Sequence, residues 1–407
     1  MRTLPKEAPP HVGHLARSGD VRTYRFLTPV FGGGVNVKES DPLTPVRVAS
    51  IRGQLRFWWR AVNPRGCTTA IELRRAEATV FGSTDKASSL VIRVNMQLER
   101  PSPLAVFEGK VRVRPGMDAI AYGAFPLRDG NPDKHGVLHD FGEQTFELAF
   151  TYPPEIEDDV HAALWAWAHF GALGGRTRRG FGAIAQVSPE IPTIDDGWAR
   201  FVKTSPAPWP HLGGKPVLAV VKSGTNDGMA ALDRLLGVLH KIRQGPNVGR
   251  RADKGKAHGR SFWPEPDSIR RAFPDQVGKK HETRMTEQDC FPRAAFGTPI
   301  IFHFKQPQTN ASREEKEYAK DPRNSTLMPE GKHRLASRLV LRPHLGIDGQ
   351  VAAMVLVLAH PLPAGGYVLV QDDPGRLVAV QLKKPLSLGD DSTLTDPIER
   401  FLEELCK

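Results

Sequence analysis

The apolar positions of this chain alternate between two periods, and the changes of period mark its elements. Residues 21–31 (VRTYRFLTPVF) are rich in β-branched and aromatic side chains and read as a strand. Gly32, Gly33 and Gly34 follow as a loop free to take positive φ. Thr44-Pro45 offers an N-cap hydroxyl and a proline at the first helical position, so a helix is predicted to start there. Val48, Ile51, Leu55, Trp58, Trp59 and Val62 continue it at helical spacing until Asn63-Pro64 stops it. A second short helix is predicted over 69–80. Strands over 89–98 and 144–152 enclose a Gly-, Pro- and charge-rich stretch, 100–139, which is too long for a turn and reads as an insertion. Pro153-Pro154 and the acidic Glu155, Glu157, Asp158 and Asp159 open a helix through LWAWAHFGAL, which Gly174-Gly175 can close. A strand over 183–187 completes the order β-α-(α)-β-β-α-β, close to the ferredoxin-like split βαβ pattern.

Residues 188–214 are Pro-rich and irregular, and make the best boundary. The chain divides there into an N-terminal domain (1–190), a linker (191–214) and a C-terminal domain (215–407). After it the pattern restarts. A strand over 216–221 leads to a helix capped by Asn226 or Asp227, with Leu232, Leu235, Leu236, Leu239 and Ile242 on one face and Gly245-Pro246 at its end. Residues 247–290 read as a basic loop insertion. Strands are predicted over 298–304, 335–342, 351–358 and 367–371, with a last helix over 397–406. The economical architecture is α+β, with two β/α-sandwich domains in tandem.

Composition narrows the class. The 407 residues suit two or three domains, and 38 Gly with 35 Pro are too few for a disordered or collagenous chain. The longest apolar run, VAAMVLVLA over 351–359, is far short of the ~20 residues of a membrane span. The first residues, MRTLPKEAPPHVGH, are Pro- and His-containing, so a poorly ordered start is expected, and they lack the apolar stretch of a secretory signal. Cys67, Cys290 and Cys406 fit neither a disulfide framework nor a zinc site. A cytoplasmic protein without metal or cofactor is expected.

Charge points to a partner. The net charge is +11, and the excess is clustered at 47–75 and 241–260. Clustered cations attract phosphate, although an ordinary solvated basic surface has the same composition. Three constellations stand out. Arg52, Arg56 and Arg60 recur every four residues and form a stripe along one helix face; they suit successive phosphates, or a solvated face with snorkelling arginines. No acidic residue lies between Pro45 and Arg65 to pair with them locally. GGRTRRGFG, Gly174 to Gly182, joins a helix to a strand and so is not a dinucleotide-binding turn. Gly174, Gly175 and Gly180 allow close backbone approach, Arg176, Arg178 and Arg179 supply charge, and Phe181 offers a stacking face. Residues 247–267 carry Arg250, Arg251, Lys254, Lys256, His258 and Arg260 and run into Phe262-Trp263, the interleaving used on single strands. A disordered loop, or one that docks an acidic protein, fits that segment equally.

Catalysis leaves fewer marks. His161 and His169 flank Trp165, but no carboxylate or Cys is spaced to form a dyad with them, and His333 has no visible acid partner. No metalloprotease, nucleophile-elbow, paired-Cys or EF-hand pattern appears.

VFGGGVN with TPVRVASIRGQLRFWWRAV, then VFGS at Val80 to Ser83, then GALGGRTRRGFGAI resembles RAMP proteins. GRSFWPEPD, AAFGTPIIFHF and RLASRLVLRP narrow the resemblance to the first-numbered RAMP subunits of the type III-B CRISPR effector, the Cmr complex. Arg338 departs from that pattern and puts the local strand geometry in question. The resemblance implies two tandem ferredoxin-like, RRM-related βαββαβ domains with loop insertions. It also implies a non-catalytic subunit in antiviral defence, capping the head of the complex near the crRNA 3′ end. Its partners would be crRNA, target RNA and other RAMP subunits, with Arg52, Arg56, Arg60, Arg176, Arg178 and Arg179 as RNA contacts. Two rivals stand beside it: a metal-independent endoribonuclease that processes crRNA, with His161 or His169 as acid and base, and a module that binds only protein.

Overall fold

A computed structural model describes residues 18–34, 41, 44–99, 101–108, 110–112, 118–127, 137–203, 207–213, 218–222, 227–251, 261–281, 291–307, 309–359, 366–373, 376–381 and 397–407. The first half runs β1 (Ser18–Phe26), α1 (Val48–Val62), α2 (Ala70–Phe81), β2 (Val91–Asn95), β3 (Ser102–Glu108), β4 (Lys110–Arg112), α3 (Asp118–Gly123), β5 (Val137–Asp140), β6 (Thr145–Tyr152), α4 (Glu157–Phe170), β7 (Ile184–Ser188) and α5 (Ile194–Phe201). β1, β2, β6 and β7 form one antiparallel sheet in the order β2-β6-β1-β7. α1 and α4 pack together on one face of it. Tyr24, Phe26, Phe146 and Trp167 stack beneath them. The stretch read as an insertion holds a separate sheet, β4-β3-β5, and α3.

Local signals explain most element ends. Asn63 takes the left-handed conformation at φ 52° and its N–H donates to Trp59 O, closing α1. Thr69 and Glu72 form a capping box at α2, and Asp227 accepts from Met229 N to cap α6 (Gly228–Gln244). Gly32 and Gly33 take positive φ as expected. Three boundaries differ. β1 begins at Ser18, inside the expected disordered start, and ends at Phe26. α1 begins at Val48 after Arg47, because Thr44 spends its hydroxyl on Asp41. Gly171, not Gly174-Gly175, ends α4.

The expected linker contains α5, capped by Thr193, whose Phe201 packs against Trp165; Trp165 Nε1 donates to Thr193 O. Phe201, Val202 and Leu212 of this stretch belong to the first core, and Ile191, Ile194, Trp198 and Trp209 pack against it.

The second half runs β8 (Leu218–Lys222), α6, α7 (Glu265–Ala272), β9 (Ile300–Phe302), α8 (Arg313–Tyr318), β10 (Ser325–Pro329), β11 (Leu339–Leu345), β12 (Val351–Val357), β13 (Tyr367–Asp373), β14 (Arg376–Gln381) and α9 (Pro397–Cys406). Its strands do not share a sheet. β11-β12-β8 is one antiparallel sheet and β14-β13-β10-β9 another. The basic insertion over 247–290 includes α7, anchored by Arg270 on Asp267 and Asp321. β11 and β12 are buried on both faces. Val340, Met354 and Leu356 join the first core, while Leu339, Leu341, Ala353 and Val355 pack on α6 and α9. Burial on both faces is why the apolar run at 351–359 is unbroken.

Arg342 pins this sheet to the first half. It is 1 % exposed, and its guanidinium donates to Ala168 O, Ile184 O and Pro343 O. Arg338 Nε donates to Leu358 O just before β11, so the departure noted there leaves the strand regular.

Candidate nucleic-acid interface

The α1 stripe folds into a structural pairing. Arg56 and Arg60 both bind Glu77 of α2, Arg60 at 3.0 Å, and Arg52 Nη2 donates to Leu90 O at 3.4 Å. Glu77 is buried, so the carboxylate that local sequence lacks arrives from the next helix. The two arginines stay more than a third exposed and share that single carboxylate.

The glycine-rich loop between α4 and β7 is held on both sides. Gly175 N donates to Phe31 O at 2.6 Å, Gly182 N to Pro29 O at 2.7 Å, and Thr28 Oγ1 to Gly180 O at 2.7 Å. On the far side Leu341 N donates to Arg178 O at 3.1 Å, docking the loop on β11. Gly180 has φ +85°, and a Cβ there would stand 2.7 Å from Leu232 Cδ1. Arg176 itself takes φ 52°, a left-handed conformation rare for a side chain of that size.

This pinned backbone brings Arg176 and Arg179 near a fourth arginine, Arg243, at the end of α6. Arg178 donates to Ser337 O and lies 5.3 Å over the Phe57 ring; Arg179 donates to Phe296 O at 2.9 Å; Arg176 lies 5.9 Å over Phe31. Among the described residues none of the four pairs with a carboxylate. Arg176 Nε, Arg179 Nη1 and Arg243 Nε are shielded from solvent with no hydrogen-bond partner there. Burial lowers the Arg178 pKa to about 10; burial, with repulsion from Arg243 and Arg176, lowers that of Arg179 to about 9. Arg178 and Arg179 remain cationic at neutral pH. Buried N–H groups on uncompensated cations are what an anion would satisfy.

Other expected contacts land elsewhere. Phe181 is fully buried against Phe31, Leu232 and Leu236, and Gly180 is buried, so the ring has no free face for a base. Trp263 is core too, donating to Ile242 O at 3.0 Å with Arg400 over its ring; Phe262 is half exposed. Arg250 is half-buried in a turn against Gly245, and Arg251 is exposed. Lys254, Lys256, His258 and Arg260 lie outside the described residues, as does Cys290. Sequence reasoning missed Arg243, because nothing local links a helix end to a loop more than sixty positions earlier.

His169 Nε2–H donates to Pro192 O at 2.9 Å inside the core. His161 does gain partners, Tyr152 Oη at 3.0 Å and Asp20 at 3.9 Å, with Asp20 held by Arg22. Burial lowers the His161 pKa. No group of three or more His, Cys, Asp or Glu residues able to hold a metal occurs among the described residues, and no helix there is long and apolar enough to cross a membrane.

The first sheet has the order β2-β6-β1-β7, and the pinned arginine loop joins α4 to its last strand. Residues 23–185 match the model of the RAMP superfamily. Among solved structures the chain is similar to Cmr1 from Pyrococcus furiosus in its apo form, at 17% identity, covering 84% of this chain and 88% of that one, TM-score 0.47. It is also similar to a chain of the type III-B Cmr-beta complex bound to cognate target RNA and AMPPnP in the presence of ssDNA, at 13% identity over 95% and 98%, TM-score 0.46. No curated protein matches it.

Proposed function

We propose that this chain is an RNA-holding, non-catalytic subunit of a type III-B CRISPR effector, seated near the crRNA 3′ end beside other RAMP subunits. The observation that carries the reading is the convergence of Arg176, Arg178, Arg179 and Arg243 with three buried N–H groups unpartnered among the described residues. The RAMP match over 23–185 and the motifs on both sides of the boundary support it. The ferredoxin-like reading fits the first sheet; in the second half β8, β11 and β12 supply three such strands, and β9, β10, β13 and β14 are an added sheet.

Filter binding of the full chain to a ~40-nucleotide single-stranded RNA across a salt series tests this. Four arginines on phosphates give a slope of log K against log salt near −3, at about −0.7 per contact. Flat or absent binding overturns the reading. The contact of His161 with Tyr152 and Asp20 favours the ribonuclease rival, whose signature is discrete cleavage of repeat RNA lost in His161→Ala.

A further inference from the structure

Beside the glycine-rich loop lies a small cleft of about 200 Å³ at the seam between the two halves. Gln54, Phe57, Trp58, Phe170, Arg178 and Val340 line it, so it draws on α1, the end of α4, the loop and β11. We propose that it receives one unpaired nucleobase of the RNA strand whose phosphates the loop holds; the inference rests on the function proposed above.

Three observations point to that occupant. Trp58 is 3 % exposed, yet its indole N–H has no hydrogen-bond partner among the described residues. A buried donor left unmade is costly, and a base carbonyl or ring nitrogen is an acceptor that would satisfy it. Gly171, also on the cleft wall, lies against this donor: a Cβ there would stand 2.8 Å from Trp58 Nε1.

The walls suit a flat ring. Phe57 meets Trp58 edge-on at 5.1 Å, Trp58 meets Phe170 at 5.8 Å, and the Arg178 guanidinium stacks over Phe57. Aromatic faces and guanidinium planes are where unpaired bases stack. The volume is below the ~300 Å³ at which pockets for drug-sized ligands begin, and suits a single ring system. Arg178 belongs to both the loop and the cleft, so a base entering here stays attached to phosphates beside the arginine cluster. Gln54 and Thr177 add polar groups for its edge.

The test compares the full chain on oligouridine and on an abasic ribose-phosphate strand of equal length. The phosphates are identical, so the salt slope stays the same, and the base-bearing strand binds about tenfold tighter. In Phe57→Ala, checked for folding by thermal melt, that ratio falls toward one. Gln54→Ala, at a half-buried surface position, narrows it without disturbing the core. Free uridine added to the wild-type chain shifts the indole ¹⁵N–H resonance of Trp58, assigned by its loss in Trp58→Phe. Equal affinity for the two strands overturns the base site and leaves the loop a phosphate binder. A uridine shift without strand discrimination also overturns it, in favour of a free-nucleoside site. Failure to bind either strand overturns both this inference and the function beneath it.

Discussion

Two arginine sets of the same size and charge meet different fates in this molecule. On α1, Arg56 and Arg60 converge on Glu77, and Arg52 reaches a carbonyl at the start of β2. In the glycine-rich loop, Arg176, Arg178 and Arg179 meet only carbonyls, aromatic rings and a fourth arginine. Among the described residues the first set shares one carboxylate, and the second meets none. Clustered positive charge is therefore a poor guide to a phosphate site until the carboxylates are placed. The useful signal is a cation whose N–H groups are buried and unmade.

The sharpest way to break the comparison is the double variant Arg176→Ala with Arg243→Ala. Losing two charge-assisted phosphate contacts, each roughly 1.5 kcal/mol or more, should weaken RNA binding about hundredfold. The salt slope should drop by about 1.4. Thermal stability should hold or rise, because like charges are separated; filter binding and a melt on one preparation check both. A fall in stability with unchanged affinity would move these residues into the structural class.

The stripe should behave in the opposite way. Arg56→Ala with Arg60→Ala strands a buried carboxylate, and the chain should lose about 1–3 kcal/mol, discounted from a fully buried pair because both arginines are a third exposed. RNA affinity should stay within about twofold. Denaturant unfolding and filter binding separate the outcomes, and a hundredfold loss of affinity would return the stripe to the interface.

A smaller effect tests the seam that carries the loop cluster. His169 and His344 lie 5.5 Å apart beside Arg342. Burial lowers His169 to about 4, with Arg342 adding to it; burial, then Arg342 and His169, lowers His344 to about 3. Both titrate near 6.5 when unfolded, so below that pH the unfolded chain binds protons that the folded chain refuses. Stability should be complete above about pH 6.5 and fall toward pH 4 by up to roughly 1.4 kcal/mol per pH unit for each imidazole. Denaturant midpoints at pH 7, 5.5 and 4.5 measure the slope, which His344→Gln should halve.

How much was legible in advance follows one physical divide. The helices at 48–62, 70–81, 157–170 and 228–244 were visible because an apolar stripe and a Gly or Asn stop sit within one segment. The glycine-rich loop was visible for the same reason. The roles of single residues were not. Phe181 looked like a stacking ring because its neighbours are polar, yet the loop turns it into the core against Leu232 and Leu236 from the other half. Trp263 met the same fate under Arg400. The separation of β9, β10, β13 and β14 from β8, β11 and β12 was equally hidden, since one strand reads like another until its partner is known.

By itself, then, the sequence determined the local elements, the positive charge and the glycine-rich loop, all properties of side chains close along the chain. Tertiary structure decided which cations meet a carboxylate. Glu77 lies on a different helix from Arg56, and Arg243 sits far along the chain from Arg176. Whether a guanidinium finds a carboxylate or an empty cleft depends on distances of a few ångströms across the fold, where electrostatic and hydrogen-bond energies are set.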